Sequence, residues 1–142
     1  MTRFITLLAA AFFVLAAALS ASAAPLVAHV DVSSQTMTVY ENGRVTHRWA
    51  VSTARKGKVT PRGTYSAQWL SRHHKSSRYN NAPMPYSIFY SGNYAIHGTY
   101  QTKYLGRPAS AGCIRLHPEH AAILFRKVSR VGLGNMRVVI RN

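Results

Sequence analysis

Apolar and polar side chains alternate in short runs along most of the chain, with turn residues between them. "LVAHVDV" (26–32) and "TMTVYE" (36–41) place apolar residues at every second position, the period of a half-buried strand. Asn42-Gly43 follows, a strong hairpin signal, so "VTHRWAVST" (45–53) reads as the return strand. "ARKGKVTPRG" (54–63) is a basic loop in which Thr60-Pro61 and Gly63 supply turn residues. "TYSAQWL" (64–70) resumes the strand pattern, and the polar stretch 71–85 is predicted to be loop. "YSIFY" (86–90) and "NYAIH" (93–97) are apolar-aromatic strands joined at Ser91-Gly92, and 98–112 is irregular. The period changes once. Ala121, Leu124, Phe125 and Val128 share one face of a helix predicted from Pro118 to Val131. Pro118 suits the first helical position, Glu119 favours the positive end of the dipole, and Gly132 stops it. "MRVVI" (136–140) closes as a strand. These elements predict a mainly β domain with one helix.

The N-terminus does not fit that pattern. Arg3 precedes an apolar run from Phe4 to Leu19, and Ala21-Ser22-Ala23 fits the small-residue cleavage rule. The run falls short of the ~20 residues that span a bilayer. Residues 1–23 are therefore expected to be a cleaved export signal, with one domain over 24–142. Stable membrane insertion is not expected after cleavage.

Charge narrows the chemistry. The chain has 18 Lys and Arg, three Asp and Glu, and a net charge of +15. Such a surface attracts polyanions. Nucleic acid is not the expected partner, because an export signal opposes it and no nucleic-acid-binding signature is visible. A cell wall, lipid headgroups or acidic polysaccharide remain, as does a solvated basic surface with no specific partner. The acids Asp31, Glu41 and Glu119 are far apart in sequence. A glycosidase with two flanking carboxyls and an oxygen-rich calcium or magnesium site are accordingly disfavoured. No metal or other cofactor is expected.

Cys113 is the single cysteine. A lone thiol in an exported chain is a buried hydrophobe, an intermolecular bridge or a reactive group. Gly112 before it permits close backbone approach, and the charge of Arg115 favours the nucleophilic thiolate. A cysteine nucleophile needs a base. Of seven histidines, His97 is best placed, ending a strand just before Gly98. His73 and His74 read as surface residues, and His117 and His120 as flanking the helix start.

"MPYSIFYSGNYAIHGTY…LGRPASAGCIRL" resembles the signature region of the L,D-transpeptidases, the YkuD-type cysteine enzymes of bacterial cell walls. His97-Gly98-Thr99 matches the family's His-Gly-Thr. Ser110, Gly112, Cys113, Ile114 and Arg115 match its Ser-His-Gly-Cys run and the two positions after it. "TPRGTY" (60–65) is similar to a further family element, so the resemblance covers most of residues 26–140. Ala111 departs from the pattern, standing where the family usually has histidine. That departure leaves open an inactive relative.

The resemblance implies an L,D-transpeptidase-type β-sandwich with its helix after the cysteine loop. It implies Cys113 as nucleophile and His97 as base, paired as thiolate and imidazolium. Gly98 would orient the histidine through its carbonyl. The backbone N–H groups of Gly112 and Cys113 would stabilise an oxyanion, and Arg115, Ser110 and Tyr86 would contact substrate. Peptidoglycan stem peptides are the implied partners, carbapenems the implied inhibitors, and the periplasm or cell envelope the implied location. Two alternatives stay open: a non-catalytic basic wall-binding protein and a hydrolytic L,D-carboxypeptidase.

Overall fold

The computed structural model describes residues 24–142. The expected export signal lies outside them. Nine strands and one α-helix follow in order: β1 (Leu26–Asp31), β2 (Thr36–Glu41), β3 (Arg44–Ala50), β4 (Gly63–Ser66), β5 (Trp69–Lys75), β6 (Pro83–Ser91), β7 (Tyr94–Gly98), β8 (Ile114–Leu116), α1 (Pro118–Val131) and β9 (Met136–Arg141). They form two sheets, one ordered β3-β2-β1-β9-β4 and the other β5-β6-β7-β8. Pairing is antiparallel except for β1–β9 and β7–β8.

The period-two pattern decides which residues fill the space between the sheets. Leu26, Ala28 and Val30 of β1 and Met136, Val138 and Ile140 of β9 are buried. They share one core with Ile88, Tyr90, Ile96, Ile114 and Leu116 of the second sheet. Leu124, Phe125 and Val128 of α1 join it, so the helix buries the face predicted for it. His117 caps that helix, its Nδ1 accepting the Glu119 N–H at 3.2 Å. Asn42 and Gly43 both have positive φ (50° and 80°), the type I′ geometry that their sequence signals.

Two expectations need correction. Residues 71–85 are not one loop: β5 runs to Lys75, β6 starts at Pro83, and only Ser76–Ala82 connects them. β5 is an edge strand whose Arg72, His73 and Lys75 carry no apolar alternation, because charged side chains suit an exposed edge. Pro83 and Pro85 sit where β6 pairs with β5 but has already run past β7, so neither removes a bond needed on both sides. Ile114–Leu116, to which the sequence assigns no element, forms β8 beside β7, a strand too short to show periodicity. The β6–β7 turn also lies one residue later than expected, at Gly92-Asn93.

Candidate active site

The parallel pairing of β7 with β8 builds the centre of the site. Ile96 stands opposite Ile114 and His97 opposite Arg115. Side chains alternate across a strand. Ile96, Ile114 and Leu116 therefore enter the core, while His97, Cys113 and Arg115 line a cleft of about 620 Å3 on the other face. Cys113, just before β8, packs against Met84, Phe89 and Ala95. Arg55, Arg78 and Tyr94 also line the cleft, and none of the three acids of the described chain does.

His97 is held in one tautomer. Its Nδ1 lies 2.7 Å from the Gly98 carbonyl oxygen. A carbonyl can only accept, so Nδ1 carries the proton and Nε2 keeps a free lone pair. Gly98 is closely packed: an added Cβ would stand 3.0 Å from Pro85 Cγ and 3.1 Å from Pro118 Cα. The ring is 6 % exposed. Burial pushes its pKa down to about 4, the Gly98 hydrogen bond opposing and the charge of Arg115 adding. Burial pushes the Cys113 thiol up, against the Ala95 backbone and the Arg115 charge. The thiol donates to the Asn93 carbonyl at 3.6 Å. These shifts favour a neutral thiol and a neutral imidazole at rest, where the sequence pattern suggested an ion pair.

Neutral His97 also links stability to pH. Its folded pKa, about 4, lies below the ordinary 6.5, so the unfolded chain takes up the proton first as pH falls. The stabilisation is complete above pH 6.5 and drains away as pH drops toward 4. For His97 alone it is on the order of 3 kcal/mol. His120 is lowered as well, mainly by burial, and acts in the same direction. Urea unfolding at pH 7 and pH 4.5 should show this loss, and His97→Gln should reduce the difference between the two pH values.

The loop before Cys113 is fixed by hydroxyls. Ser110, 1 % exposed, accepts the Gly112 N–H at 3.0 Å and donates to the Cys113 carbonyl at 2.6 Å. Thr60, equally buried, donates to the Gly112 carbonyl at 2.8 Å and accepts the Ala54 N–H at 3.0 Å. Ser110 is thus a positioning residue and does not offer its hydroxyl to a ligand. The Gly112 N–H is likewise occupied, against its expected place in an oxyanion hole. Gly112 has φ +143°, and a Cβ there would meet Tyr94 Cε1 at 2.8 Å and the Val59 carbonyl at 2.9 Å. Gly112→Ala should therefore cost about 2 kcal/mol or more and displace Cys113, seen as a lower urea midpoint together with lost thiol reactivity.

Tyr86 is elsewhere. Its ring packs edge-on to Phe125 of α1 at 5.5 Å, with the Arg72 guanidinium 5.8 Å from its centre. The expected substrate contact is not made from there, because a positive φ of 55° breaks the alternation of β6 at this residue. His120 stacks on Trp49 at 4.9 Å, and His74 meets Phe89 edge-on at 4.9 Å. Ala111 lines the cleft where the signature usually has histidine. Among the described residues, no three of His, Cys, Asp and Glu are grouped to hold a metal. No helix of the described chain is long and apolar enough to cross a membrane.

Asn93, Thr60, Tyr94 and Arg55 were not singled out by sequence as site residues. Thr60 carried a signal in opening the "TPRGTY" element, and Asn93 and Tyr94 lie inside the "MPYSIFYSGNYAIHGTY" stretch.

The two-sheet sandwich thus places a tautomer-locked histidine and a thiol in one basic cleft. The model of the L,D-transpeptidase catalytic domain, YkuD, matches residues 25–140. The chain belongs to that family. Solved structures agree on the fold. An L,D-transpeptidase from Mycobacterium tuberculosis H37Rv aligns with TM-score 0.74 at 22% identity, covering 83% of this chain and 58% of that one. One from Xylanimonas cellulosilytica DSM 15894 aligns with TM-score 0.70 at 25% identity, covering 86% and 63%. An LD transpeptidase in complex with imipenem aligns with TM-score 0.73 at 21% identity, covering 82% and 59%. This chain spans about three fifths of the length of these solved chains. A search of curated proteins gives no match.

Proposed function

We propose that this protein is a peptidoglycan L,D-transpeptidase acting in the periplasm or cell envelope. Its substrate is a stem peptide ending in D-alanine at the fourth position. The observation that carries this reading is the His97 Nδ1–Gly98 bond of 2.7 Å, which leaves Nε2 with its lone pair on a residue that lines the same cleft as Cys113.

In this mechanism Nε2 takes the thiol proton as Sγ bonds to the carbonyl carbon of the third residue. Neutral partners suit that concerted transfer. The Cys113 N–H is the proposed donor to the developing oxyanion, a contribution of about 3 kcal/mol in other enzymes. The tetrahedral centre collapses, the C–N bond breaks, and the imidazolium returns its proton to the leaving amine of D-alanine. A thioester remains. An amine of a second stem attacks it and gives its proton to His97. The C–S bond breaks and Sγ regains a proton. Arg115 offers a planar fork to a substrate carboxylate. By analogy with the relative solved with imipenem, a carbapenem carbonyl is attacked by the same thiol.

Mass spectrometry of purified wall fragments incubated with residues 24–142 tests the reading. A 3→3 cross-linked dimer with released D-alanine is expected. A trimmed tripeptide alone would make the protein a carboxypeptidase, and unchanged fragments that merely bind would make it a wall-binding protein.

A further inference from the structure

Segment 51–55 is the template against which the cysteine loop is laid. The Val51 carbonyl accepts the Gly106 N–H at 2.8 Å, the Thr53 carbonyl accepts those of Ala109 and Ser110 at 3.0 and 2.9 Å, and Ser52 exchanges bonds of 3.0 and 2.9 Å with Arg115. The Ser52 hydroxyl donates to the Arg107 carbonyl at 2.8 Å, and the Arg55 N–H donates to the Ser110 carbonyl at 2.9 Å. Ser110 in turn holds the Gly112 N–H and the Cys113 carbonyl through its hydroxyl.

That template is itself fixed by one residue of the β1–β2 turn, which belongs to the five-stranded sheet, whereas Cys113 precedes β8 of the other. The Gln35 carbonyl accepts the Val51 N–H at 2.9 Å. Its side-chain oxygen accepts the Thr53 N–H at 2.9 Å, and its side-chain nitrogen donates to Thr53 Oγ1 at 2.6 Å and to the Val32 carbonyl at 2.8 Å. The amide can face only this way, because the Thr53 N–H only donates and the Val32 carbonyl only accepts. Gln35 is buried and Thr53 completely so. Gln35 also has a φ of 52°, a left-handed backbone that turns usually give to glycine or asparagine. Such strain persists where the surroundings over-determine it, and here four hydrogen bonds from one residue do so.

We propose that Gln35 is a positioning residue for the Cys113 nucleophile. Its amide sets segment 51–53, that segment sets Ala109 and Ser110, and the Ser110 hydroxyl sets the Gly112–Cys113 backbone. The place of Sγ in the cleft is thus decided from the far sheet, by a side chain that touches no reacting atom. The role rests on the transpeptidase reading above. Without the amide the buried Thr53 N–H has no partner, a costly state. Segment 51–53 then shifts to find one and carries the cysteine loop with it.

The test follows acylation of Cys113 by saturating imipenem with intact-protein mass spectrometry, which separates the rate constant from the final labelled fraction. Gln35→Met keeps the length of the side chain without its amide. It should react about 10- to 100-fold more slowly, since a misplacement of ~1 Å costs up to about 100-fold, while its folded molecules are still labelled to completion. Val138→Ala, a cavity in the buried face of β9, is the control for lost stability: its labelled fraction should follow its folded fraction, and its rate constant should stay that of the wild type. Hydrogen exchange at the Ser110 and Gly112 N–H groups should quicken in Gln35→Met beyond its value in Val138→Ala. Gln35→Glu is read against pH. Its protonated carboxyl still accepts from Thr53 and donates once, so it should approach the wild-type rate near about pH 5. As the buried carboxyl ionises, above the ordinary ~4.3, it should fall about tenfold behind by about pH 8. Equal rate constants for the wild type and Gln35→Met, or a loss matched by Val138→Ala, overturn the positioning role and leave the transpeptidase reading intact. If Gln35→Met does not fold, Gln35→Glu decides, and a constant ratio to the wild type across pH overturns the role. If the wild-type protein takes up neither imipenem nor a stem-peptide acyl group, the transpeptidase reading falls and the positioning role with it.

Discussion

Cys113→Ala should abolish covalent capture of imipenem. The wild-type protein should gain the mass of one molecule, at Cys113 alone, and the variant none. The fold should survive, because the thiol is only half-buried and packs at the rim of the small Met84–Phe89–Ala95 cluster. Loss of a few contacts there costs about 1 kcal/mol. Circular dichroism and urea unfolding of the variant check the second half of this statement, and intact-protein mass spectrometry checks the first. An adduct that persists in Cys113→Ala would move the nucleophile elsewhere.

His97→Gln should slow the same acylation by about 10²- to 10⁴-fold near neutral pH, the usual span for a lost general base. The pH profile is the sharper measure. In the wild type, His97 becomes a competent base as pH rises through about 4, so its acylation should climb there and then run level across neutrality. In the variant only the thiolate can attack. Burial holds the Cys113 thiol above its ordinary range, so the residual rate should rise only at alkaline pH. Superimposable profiles for the two proteins, measured by adduct formation from about pH 3 to 10, would exclude His97 as the base.

Elements of the fold that bury one face were readable from residue types. The alternation of β1 and β9, the Asn42-Gly43 hairpin and the face of α1 each follow from one local rule acting on a few neighbours. β5 and β8 were not readable for opposite reasons. β5 is an edge strand of charged residues whose pairing depends on the backbone of β6. β8 has three residues and exists because β7 lies beside it. The site divides in the same way. That Cys113 and His97 share one cleft and that His97 meets the Gly98 carbonyl could be expected from the motifs along the chain. Arg55 and Thr60 act through bonds to residues more than 50 positions away; nothing local distinguishes Arg55 from other loop residues, and Thr60 is marked only by opening the "TPRGTY" element. Tyr86 failed because its backbone leaves the strand conformation at that residue, a departure the surrounding apolar letters do not encode.

The hydrogen bond from Cys113 to the Asn93 carbonyl, together with the burial that raises the thiol, bears on how long the sulfur lasts. Peroxide and other oxidants attack the thiolate, and the path from sulfenic to sulfinic acid begins there. Under the proposed mechanism, a sulfur that ionises only when His97 takes its proton presents little thiolate between catalytic events. The price is a slower first encounter with substrate, and the gain is a nucleophile that ages slowly in air.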